Sequence, residues 1–158
     1  MAVSVPQPIG NDHILKAFDC GQESLNVWLA KRALKNEGPA SRTYVVLSGN
    51  NVIGYYCLSA GSIVNSAAPG KLRRNMPDPI PVIVLGRLAV DKKYKGQNIG
   101  SSLLRDALIR CNTVQESVGS RAIIVHALGE EAKQFYLKYG FKDFPKQPMT
   151  LYLPLPVF

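Results

Sequence analysis

The feature that most constrains this chain is a buried strand that runs through a basic, glycine-bearing loop directly into a helix. Val82 to Val90 is apolar except at Arg87, which predicts a strand buried on both faces at the centre of a sheet. The loop continues through Lys95 to Gly100, and a helical pattern follows from Ser101. Free backbone N–H groups and the positive end of a helix dipole favour anions, so this segment predicts a pyrophosphate site.

Helical and strand patterns precede this segment. Gln22 to Asn36 predicts one amphipathic helix with a basic outer face. Thr43 to Leu47 and Val52 to Leu58, joined by the tight turn Gly49-Asn50-Asn51, predict a hairpin. Ser66 to Pro81 is rich in proline and basic residues, which predicts an irregular, basic surface loop.

The patterns that follow predict alternating helices and strands. A long helix from Ser101 is predicted to end at Gly119, and its apolar stripe comprises Leu103, Leu104, Ala107, Leu108, Cys111, Val114 and Val118. Arg121 to Ala127 predicts a buried strand and Glu130 to Tyr139 a helix capped by Gly140. Met149 to Leu155 predicts a terminal strand. The fold class indicated is α/β.

Length and composition indicate one globular domain. A chain of 158 residues has room for a single core, so we expect one domain over residues 1–158. No basic start followed by an apolar run is present, and no apolar stretch is long enough to cross a bilayer, so we expect no export and a cytoplasmic protein. Cys20, Cys57 and Cys111 lack CxxC spacing, which indicates neither disulfides nor a metal site.

The charge balance is basic, with 19 Lys and Arg against 11 Asp and Glu and a formal net charge of +8. Such a surface favours an anionic partner through long-range attraction. Solubility alone accounts for a charge of this size equally well. The distribution of the charge therefore carries more information than its total.

Spacing excludes two well-known phosphate loops. Only three residues separate Gly96 from Gly100 and no lysine follows, unlike a P-loop, and the GxGxxG dinucleotide fingerprint is absent. The loop instead resembles the Arg/Gln-x-x-Gly-x-Gly/Ala signature of GNAT acetyltransferases, with Lys95 first, Asn98 at the middle glycine and Gly100 last. Asn readily enters the left-handed backbone region that a glycine would take there. A plain strand-to-helix connection is the alternative for this loop taken alone.

The resemblance implies a GNAT fold, with a mixed central sheet of about six to seven strands, about four helices and splayed central strands. It implies acetyl-coenzyme A as the cofactor, with its pantetheine arm bound by the backbone of Leu88, Ala89 and Val90 as an added strand would be. The loop residues then expected at the pyrophosphate are Lys95, Gly96, Gln97, Asn98, Ile99, Gly100 and Ser101.

A second segment, Ala132-x-x-Phe135-Tyr136-x-x-x-Gly140-Phe141, resembles the tyrosine helix of many GNAT members. In that family the tyrosine hydroxyl lies beside the coenzyme sulfur, which assigns Tyr136 the role of proton donor to the departing thiolate. A phenol, whose ordinary pKa is near 10, serves once it is positioned. The alternative is a core tyrosine on an amphipathic helix, which we favour for Tyr139.

No side chain is assigned as a general base. Glu130 and Glu131 suit the start of their helix, and His126 suits a satisfied position beside a strand end. An α-amine titrates near 8, whereas a lysine amine titrates near 10.4, so an α-amine substrate needs little base.

The resemblance extends to one GNAT branch, the toxins of bacterial toxin-antitoxin systems that acetylate the amino acid on charged tRNA. It is carried by Phe18-Asp19-Cys20-Gly21 with Leu25-Asn26-x-Trp28-Leu29, by Leu72 to Pro81 leading into Arg87 to Asp91, and by the tyrosine helix. Members of the branch act as dimers and are neutralised by an antitoxin, usually a ribbon-helix-helix protein. These partners are implied by resemblance only.

The distribution of basic residues agrees with an RNA partner. The candidate contacts to a phosphate backbone are Lys31, Arg32, Lys35, Lys71, Arg73, Arg74 and Arg87. The helix trio could equally be a solvated face, but paired arginines suit bidentate phosphate contacts. Two alternatives stay open: an acetyltransferase of a protein N-terminus or small amine, and a non-enzymatic coenzyme-binding module. Which aminoacyl-tRNA would be used is not readable.

Overall fold

Seven strands form one mixed sheet in the computed structural model, which describes residues 2–158. In chain order they are β1 (Gln7–Pro8), β2 (Arg42–Ser48), β3 (Asn51–Ile63), β4 (Ile80–Val90), β5 (Ala122–His126), β6 (Lys142–Phe144) and β7 (Gln147–Pro154). Their order across the sheet is β1-β2-β3-β4-β5-β7-β6. The strand number and the central place of β4 confirm the prediction, whereas β1 and β6 are too short for their patterns to be noticed.

Strand pairing is mixed, as an α/β sheet of this kind requires. β4 and β5 are parallel over Ile83–Leu85 and Ile123–Val125. The pairs β1–β2, β2–β3, β5–β7 and β6–β7 are antiparallel. The predicted hairpin is present, because Ser48 pairs with Asn51 across a two-residue turn in which Gly49 has φ 63°. The predicted splay of the central strands stays a prediction.

Residues 2–158 contain five α-helices, where about four were expected: α1 (Glu23–Lys31), α2 (Ala33–Asn36), α3 (Gly70–Arg73), α4 (Ile99–Ser117) and α5 (Glu130–Lys138). The single helix predicted over Gln22–Asn36 was wrong, because Arg32 leaves helical geometry at φ −121° and separates α1 from α2. Leu29 and Ala33, on either side of this break, are both fully buried. Residues four apart lie on the same face of a helix, so both short helices still bury the predicted apolar side.

Helix α4 begins two residues before the predicted start. Leu103, Leu104 and Cys111 of its apolar stripe are buried as predicted. Val114 and Val118 are 42% and 64% exposed, so their assignment to the buried stripe was wrong. The helix ends at Ser117, and apolar residues near its end are left facing solvent.

The predicted irregular loop over Ser66–Pro81 contains more structure than its prolines suggested. A 3₁₀ turn spans Asn65–Ala67, α3 follows, and β4 already begins at Ile80. Leu72 is fully buried, and the Arg121 guanidinium donates to the Leu72 carbonyl at 3.2 Å. Buried Ala68, Leu72 and Ile80 and the Arg121 side chain thus hold the segment, which is otherwise largely exposed.

Two compact units make up the described chain. Residues 2–59 and Gly86–Ala107 form the first, and Ala60–Leu85 with Leu108–Phe158 form the second. The first unit has a core of Ile9, Phe18, Cys20, Trp28, Leu29, Ala33, Val45, Leu47, Val52, Tyr55, Cys57 and Ala89. The second has a core of Ala68, Leu72, Ile80, Val82, Ala122, Ile124, Phe144 and Tyr152. The expectation of one domain over residues 1–158 stays a prediction.

Candidate active site

The loop between β4 and α4 begins at a buried carboxylate. Asp91 is 6% exposed, and its Oδ1 accepts a hydrogen bond from the Lys93 amide at 2.9 Å, which caps the 3₁₀ turn Lys92–Tyr94. The Asp91 amide donates to the Ile53 carbonyl on β3 at 2.8 Å. The end of β4 is therefore fixed before the loop leaves the sheet.

Two loop residues adopt left-handed backbone conformations. Gly96 has φ 83° and Asn98 has φ 61°, which confirms the conformation predicted for Asn98. A Cβ at Gly96 would meet nothing within 4 Å, so glycine is favoured there by backbone conformation rather than by lack of space. Asn98 is one of the few residue types other than glycine that occupy this region at modest cost. The loop can thus turn sharply into α4.

Helix α4 starts immediately after Asn98. The Asn98 carbonyl accepts from the Ser102 amide at 3.1 Å, the first rung of the helical ladder, and from the Ser101 hydroxyl at 3.0 Å. Amides earlier in the first turn, at Ile99, Gly100 and Ser101, precede this rung and have no helical acceptor. They carry the positive partial charge of the helix N-terminus, which suits a phosphate.

A close helix–sheet approach fixes the position of this N-terminus. A Cβ on Gly54 of β3 would lie 3.1 Å from Leu103 Cδ1 and 3.2 Å from Ile99 Cγ2. Ile99 and Leu103 are both buried. The missing side chain at Gly54 therefore lets the first turns of α4 pack directly on the strand.

The three loop lysines differ in their surroundings. Lys92 Nζ lies 3.0 Å from Asp19 Oδ2, and this carboxylate raises the pKa of Lys92 above its ordinary value. Lys93 and Lys95 are exposed. Lys95 is therefore free to serve as the predicted pyrophosphate contact, and Lys93 is a second cation that the sequence pattern did not single out.

The strand residues predicted to pair with the pantetheine arm lie at the end of β4. Ala89 is 6% exposed, and Leu88 and Val90 are half-buried. All three share the first unit with the loop Lys95–Ser101. Their predicted role resides in the main chain, so side-chain burial is compatible with it.

Arg87, a candidate RNA contact on β4, packs on an aromatic side chain. Its guanidinium carbon lies 4.4 Å from the centroid of the Trp28 ring, which itself stacks on Tyr55 at 5.9 Å. Burial raises the pKa of the Cys57 thiol, and a hydrogen bond from Arg87 partly opposes that shift. Arg87 thus packs against the first core, and its predicted RNA contact stays a prediction.

The tyrosine helix ends in a Schellman motif. The Phe141 amide donates to the Tyr136 carbonyl at 3.2 Å, and the Gly140 amide donates to the Leu137 carbonyl at 3.1 Å. Gly140 has φ 96°, which confirms the predicted left-handed cap. The spacing from Tyr136 to Gly140-Phe141 therefore has a direct geometric cause.

The Tyr136 ring is held by aromatic neighbours. Its centroid lies 5.3 Å from that of Phe135 and 5.4 Å from that of Phe141, both in edge-to-face geometry. The side chain is 7% exposed, whereas Tyr139 is 36% exposed. The preference for Tyr139 as a core residue was therefore wrong, because Tyr139 follows the last residue of α5 and is exposed there.

His126 and Glu130 have structural partners, as predicted. His126 ends β5, and its Nδ1 lies 3.1 Å from Thr150 Oγ1. Glu130 accepts a hydrogen bond from the Gln134 side chain at 2.7 Å in the first turn of α5.

Within residues 2–158, no cluster of three or more His, Cys, Asp or Glu could hold a metal ion. No helix of the described chain could span a membrane.

The candidate RNA-binding residues fall into separate groups. Lys31 at the end of α1, Arg32 between the helices and Lys35 of α2 are exposed. Arg73, the last residue of α3, and Arg74 after it are also exposed. Arg73 lines a cavity of about 370 Å³ together with Lys146 from the β6–β7 turn, whereas Arg74 does not line it. Lys146 was missed by sequence reasoning because a single lysine in a turn carries no local signal.

The comparison with known families decides the fold assignment. The model of the acetyltransferase (GNAT) domain matches residues 39–143. The chain belongs to the GNAT acetyltransferase family. The matched range contains both the pyrophosphate-type loop and the tyrosine helix of this GNAT domain.

Relatives of this GNAT protein include toxins. A tRNA-acetylating toxin of Mycobacterium tuberculosis is 46% identical over 151 residues, covering 95% of this chain and 91% of the relative. The structure of AtaT complexed with acetyl-methionyl-tRNAfMet has 28% identity and a TM-score of 0.87, covering 97% of this chain and 95% of that one. A tyrosine-to-phenylalanine mutant of AtaT, bound to the C-terminus of the antitoxin AtaR and to acetyl-CoA, has 26% identity and a TM-score of 0.80, covering 96% and 92%.

Proposed function

We propose that this GNAT protein is an acetyl-CoA-dependent toxin that acetylates the α-amino group of aminoacyl-tRNA and thereby inhibits translation in the cytoplasm. The proposal that acetyl-CoA binds here rests on the left-handed backbone conformation of Asn98, which directs the free amides of the first turn of α4 toward one point. The relationship to a tRNA-acetylating toxin over 95% of the chain supports the substrate class.

The loop residues fit the anionic end of acetyl-CoA. Amides at Ile99, Gly100 and Ser101 would bind the pyrophosphate, and the Lys95 ammonium would add charge, with Gly96, Gln97 and Asn98 shaping the backbone around it. The backbone of Leu88, Ala89 and Val90 would pair with the amides of the pantetheine arm. When bound, acetyl-CoA supplies the acetyl group as an activated thioester.

Tyr136 would act when the substrate amine attacks the acetyl carbon. A C–N bond would form, the C–S bond would break, and the Tyr136 hydroxyl would donate its proton to the departing sulfur. The proton lost by the attacking nitrogen would pass through solvent to the Tyr136 phenolate and restore the hydroxyl. The ring is held between Phe135 and Phe141, so the hydroxyl is positioned at little further entropic cost. The α-amine is already partly neutral at cellular pH, which removes the need for a strong base.

The RNA partner would meet basic side chains. Arg73 and Arg74 on α3 and the exposed trio Lys31, Arg32 and Lys35 would contact phosphates, as would Arg87 if it leaves Trp28. A cognate antitoxin would neutralise the toxin, as the complex of AtaT with AtaR supports. We further propose that the antitoxin is of the ribbon-helix-helix type and that this chain acts as a homodimer.

The test is transfer of labelled acetyl groups from acetyl-CoA to charged tRNA, uncharged tRNA and polyamines. We expect label on charged tRNA alone, and Tyr136→Phe should lower kcat by about 10²-fold or more. Tyr139→Phe is the control, because it also removes a tyrosine hydroxyl but does so at an exposed position of the same segment. This variant should retain activity. Label on polyamines or protein alone would refute the tRNA substrate, and coenzyme binding without transfer would favour a binding module.

A further inference from the structure

We infer that Asp19 is a positioning residue for the coenzyme loop, which it fixes by holding Asp91 and Lys92 at the point where β4 becomes the loop. The inference rests on the proposed coenzyme site. Asp19 lies in the Phe18-to-Gly21 segment, outside the range matched by the family model, and no role has been assigned to it above.

Asp19 first organises its own turn. Its Oδ1 accepts hydrogen bonds from the Gly21 amide at 2.9 Å and from the Asn26 side-chain amide at 3.0 Å. The Asn26 side-chain oxygen in turn accepts from the Cys20 amide at 2.9 Å. Gly21 has φ 89°, a conformation that glycine adopts without strain. The turn is therefore internally fixed and joined to helix α1 through Asn26.

Asp19 then binds the start of the loop at three points. Its amide donates to Asp91 Oδ2 at 3.1 Å, and its carbonyl accepts from the Lys92 amide at 2.9 Å. Its Oδ2 lies 3.0 Å from Lys92 Nζ. Asp91 is also bound to β3 through the Ile53 carbonyl, so the first two loop residues are held from both sides.

The surroundings of Asp19 favour its charged form. The hydrogen bond from the Gly21 amide, followed by those from Lys92 and Asn26, lowers the pKa of Asp19 to about 2. The carboxylate is therefore ionised throughout the physiological range, although its side chain is 47% exposed. Lys92 is held by this carboxylate, which leaves Lys93 and Lys95 as the cations that can meet a phosphate.

Loss of the carboxylate would release Lys92 and weaken the turn that holds Asp91. The loop would then populate other conformations, and coenzyme binding would select the competent one at a cost in affinity. The backbone contacts of Asp19 would persist in part, because they do not involve the side chain. We therefore expect weakened coenzyme binding rather than loss of the fold.

The experiment measures the dissociation constant of coenzyme A by calorimetry and the KM values for both substrates. Asp19→Asn should weaken coenzyme A binding about tenfold and raise KM for acetyl-CoA without raising KM for aminoacyl-tRNA. Lys92→Met should weaken binding less, and the double variant should be no worse than Asp19→Asn, because both changes remove one interaction.

Glu37→Gln is the matched control. Like Asp19, Glu37 accepts a hydrogen bond from a backbone amide, that of Thr43 at 2.8 Å, and pairs with a basic side chain, Arg42 at 3.7 Å. The Glu37→Gln substitution should leave coenzyme A affinity unchanged. If the wild type binds coenzyme A, the coenzyme site stands. In that case, unchanged coenzyme A affinity in Asp19→Asn, or an equal loss of affinity in Glu37→Gln, would overturn the inference about Asp19. Wild-type protein that binds no coenzyme A would overturn both. If Asp19→Asn does not fold, unchanged affinity in Lys92→Met overturns the inference.

Discussion

The Arg87 guanidinium carbon lies over the Trp28 ring, 4.4 Å from its centroid, and the same ring stacks on Tyr55 with planes 10° apart. A cation on an aromatic face is attracted by the ring quadrupole, and the guanidinium plane also covers apolar surface. A residue that the sequence placed in an RNA-binding track thus contributes to the packing of the first unit.

Replacing Arg87 by Met should lower the free energy of unfolding by about 1 kcal/mol, because it removes the cation–π contact while keeping much of the side-chain volume. Trp28 is the only tryptophan, so its fluorescence should change in the same variant. Urea unfolding followed by this fluorescence measures both effects. Arg42→Met, at a side chain 64% exposed, is the control and should cost little. An unchanged midpoint and spectrum in Arg87→Met would show that the stack contributes nothing.

The left-handed backbone at Asn98 yields a second prediction. Asn98→Gly should keep or slightly raise stability, whereas Asn98→Ala should lower it by about 1 kcal/mol, because alanine pays the full steric cost at φ 61°. Coenzyme A affinity should follow the same order. Gln97→Ala, at the exposed neighbouring residue, should leave the free energy of unfolding unchanged. Equal stability of the Gly and Ala variants would mean that the loop relaxes out of this conformation.

Local backbone rules explain why Asn98 could be predicted from the sequence. The glycine-like position before α4 and the Gly140 cap after α5 both depend on residues a few positions apart, and both were confirmed. Contacts between distant segments carry no such local signal. Lys92 and Asp19 lie far apart in the sequence, and nothing near either residue indicates that they pair at 3.0 Å.

Side-chain packing is a second feature that the sequence does not reveal. The charge of Arg87 made it a candidate RNA contact, but nothing in the sequence shows that its guanidinium packs on the Trp28 ring. Likewise, helical periodicity does not reveal where a helix breaks. Leu29 and Ala33 are both buried and are spaced as in one continuous helix, so their pattern does not show the break at Arg32.

The paired arginines at the end of α3 should differ in their effect on RNA. Arg73 lines the cavity shared with Lys146, and the residues of the described chain that line it include no carboxylate, whereas Arg74 lies outside it. Arg73→Gln and Lys146→Gln should therefore weaken tRNA binding more than Arg74→Gln, and each should reduce the slope of log K against log salt by about 0.7–0.9. Binding isotherms at several salt concentrations test this, with coenzyme A affinity as the control. Equal losses at Arg73 and Arg74 would indicate diffuse charge rather than the cavity.

The buried thiol of Cys111 predicts a pH dependence of stability. Burial raises the pKa of Cys111 to about 12, so the folded chain keeps this thiol protonated well above neutral pH. The unfolded chain ionises it near 8.5, which favours unfolding as the pH rises beyond that value. Between pH 7 and pH 10 this single group should reduce the free energy of unfolding by about 2 kcal/mol. Cys111→Ala should be less stable at pH 7 because it leaves a cavity in the core. Between pH 7 and pH 10, however, its free energy of unfolding should fall by about 2 kcal/mol less than that of the wild type. Parallel pH profiles for wild type and variant, measured by urea unfolding, would show that the thiol is not protected from ionisation in the folded state.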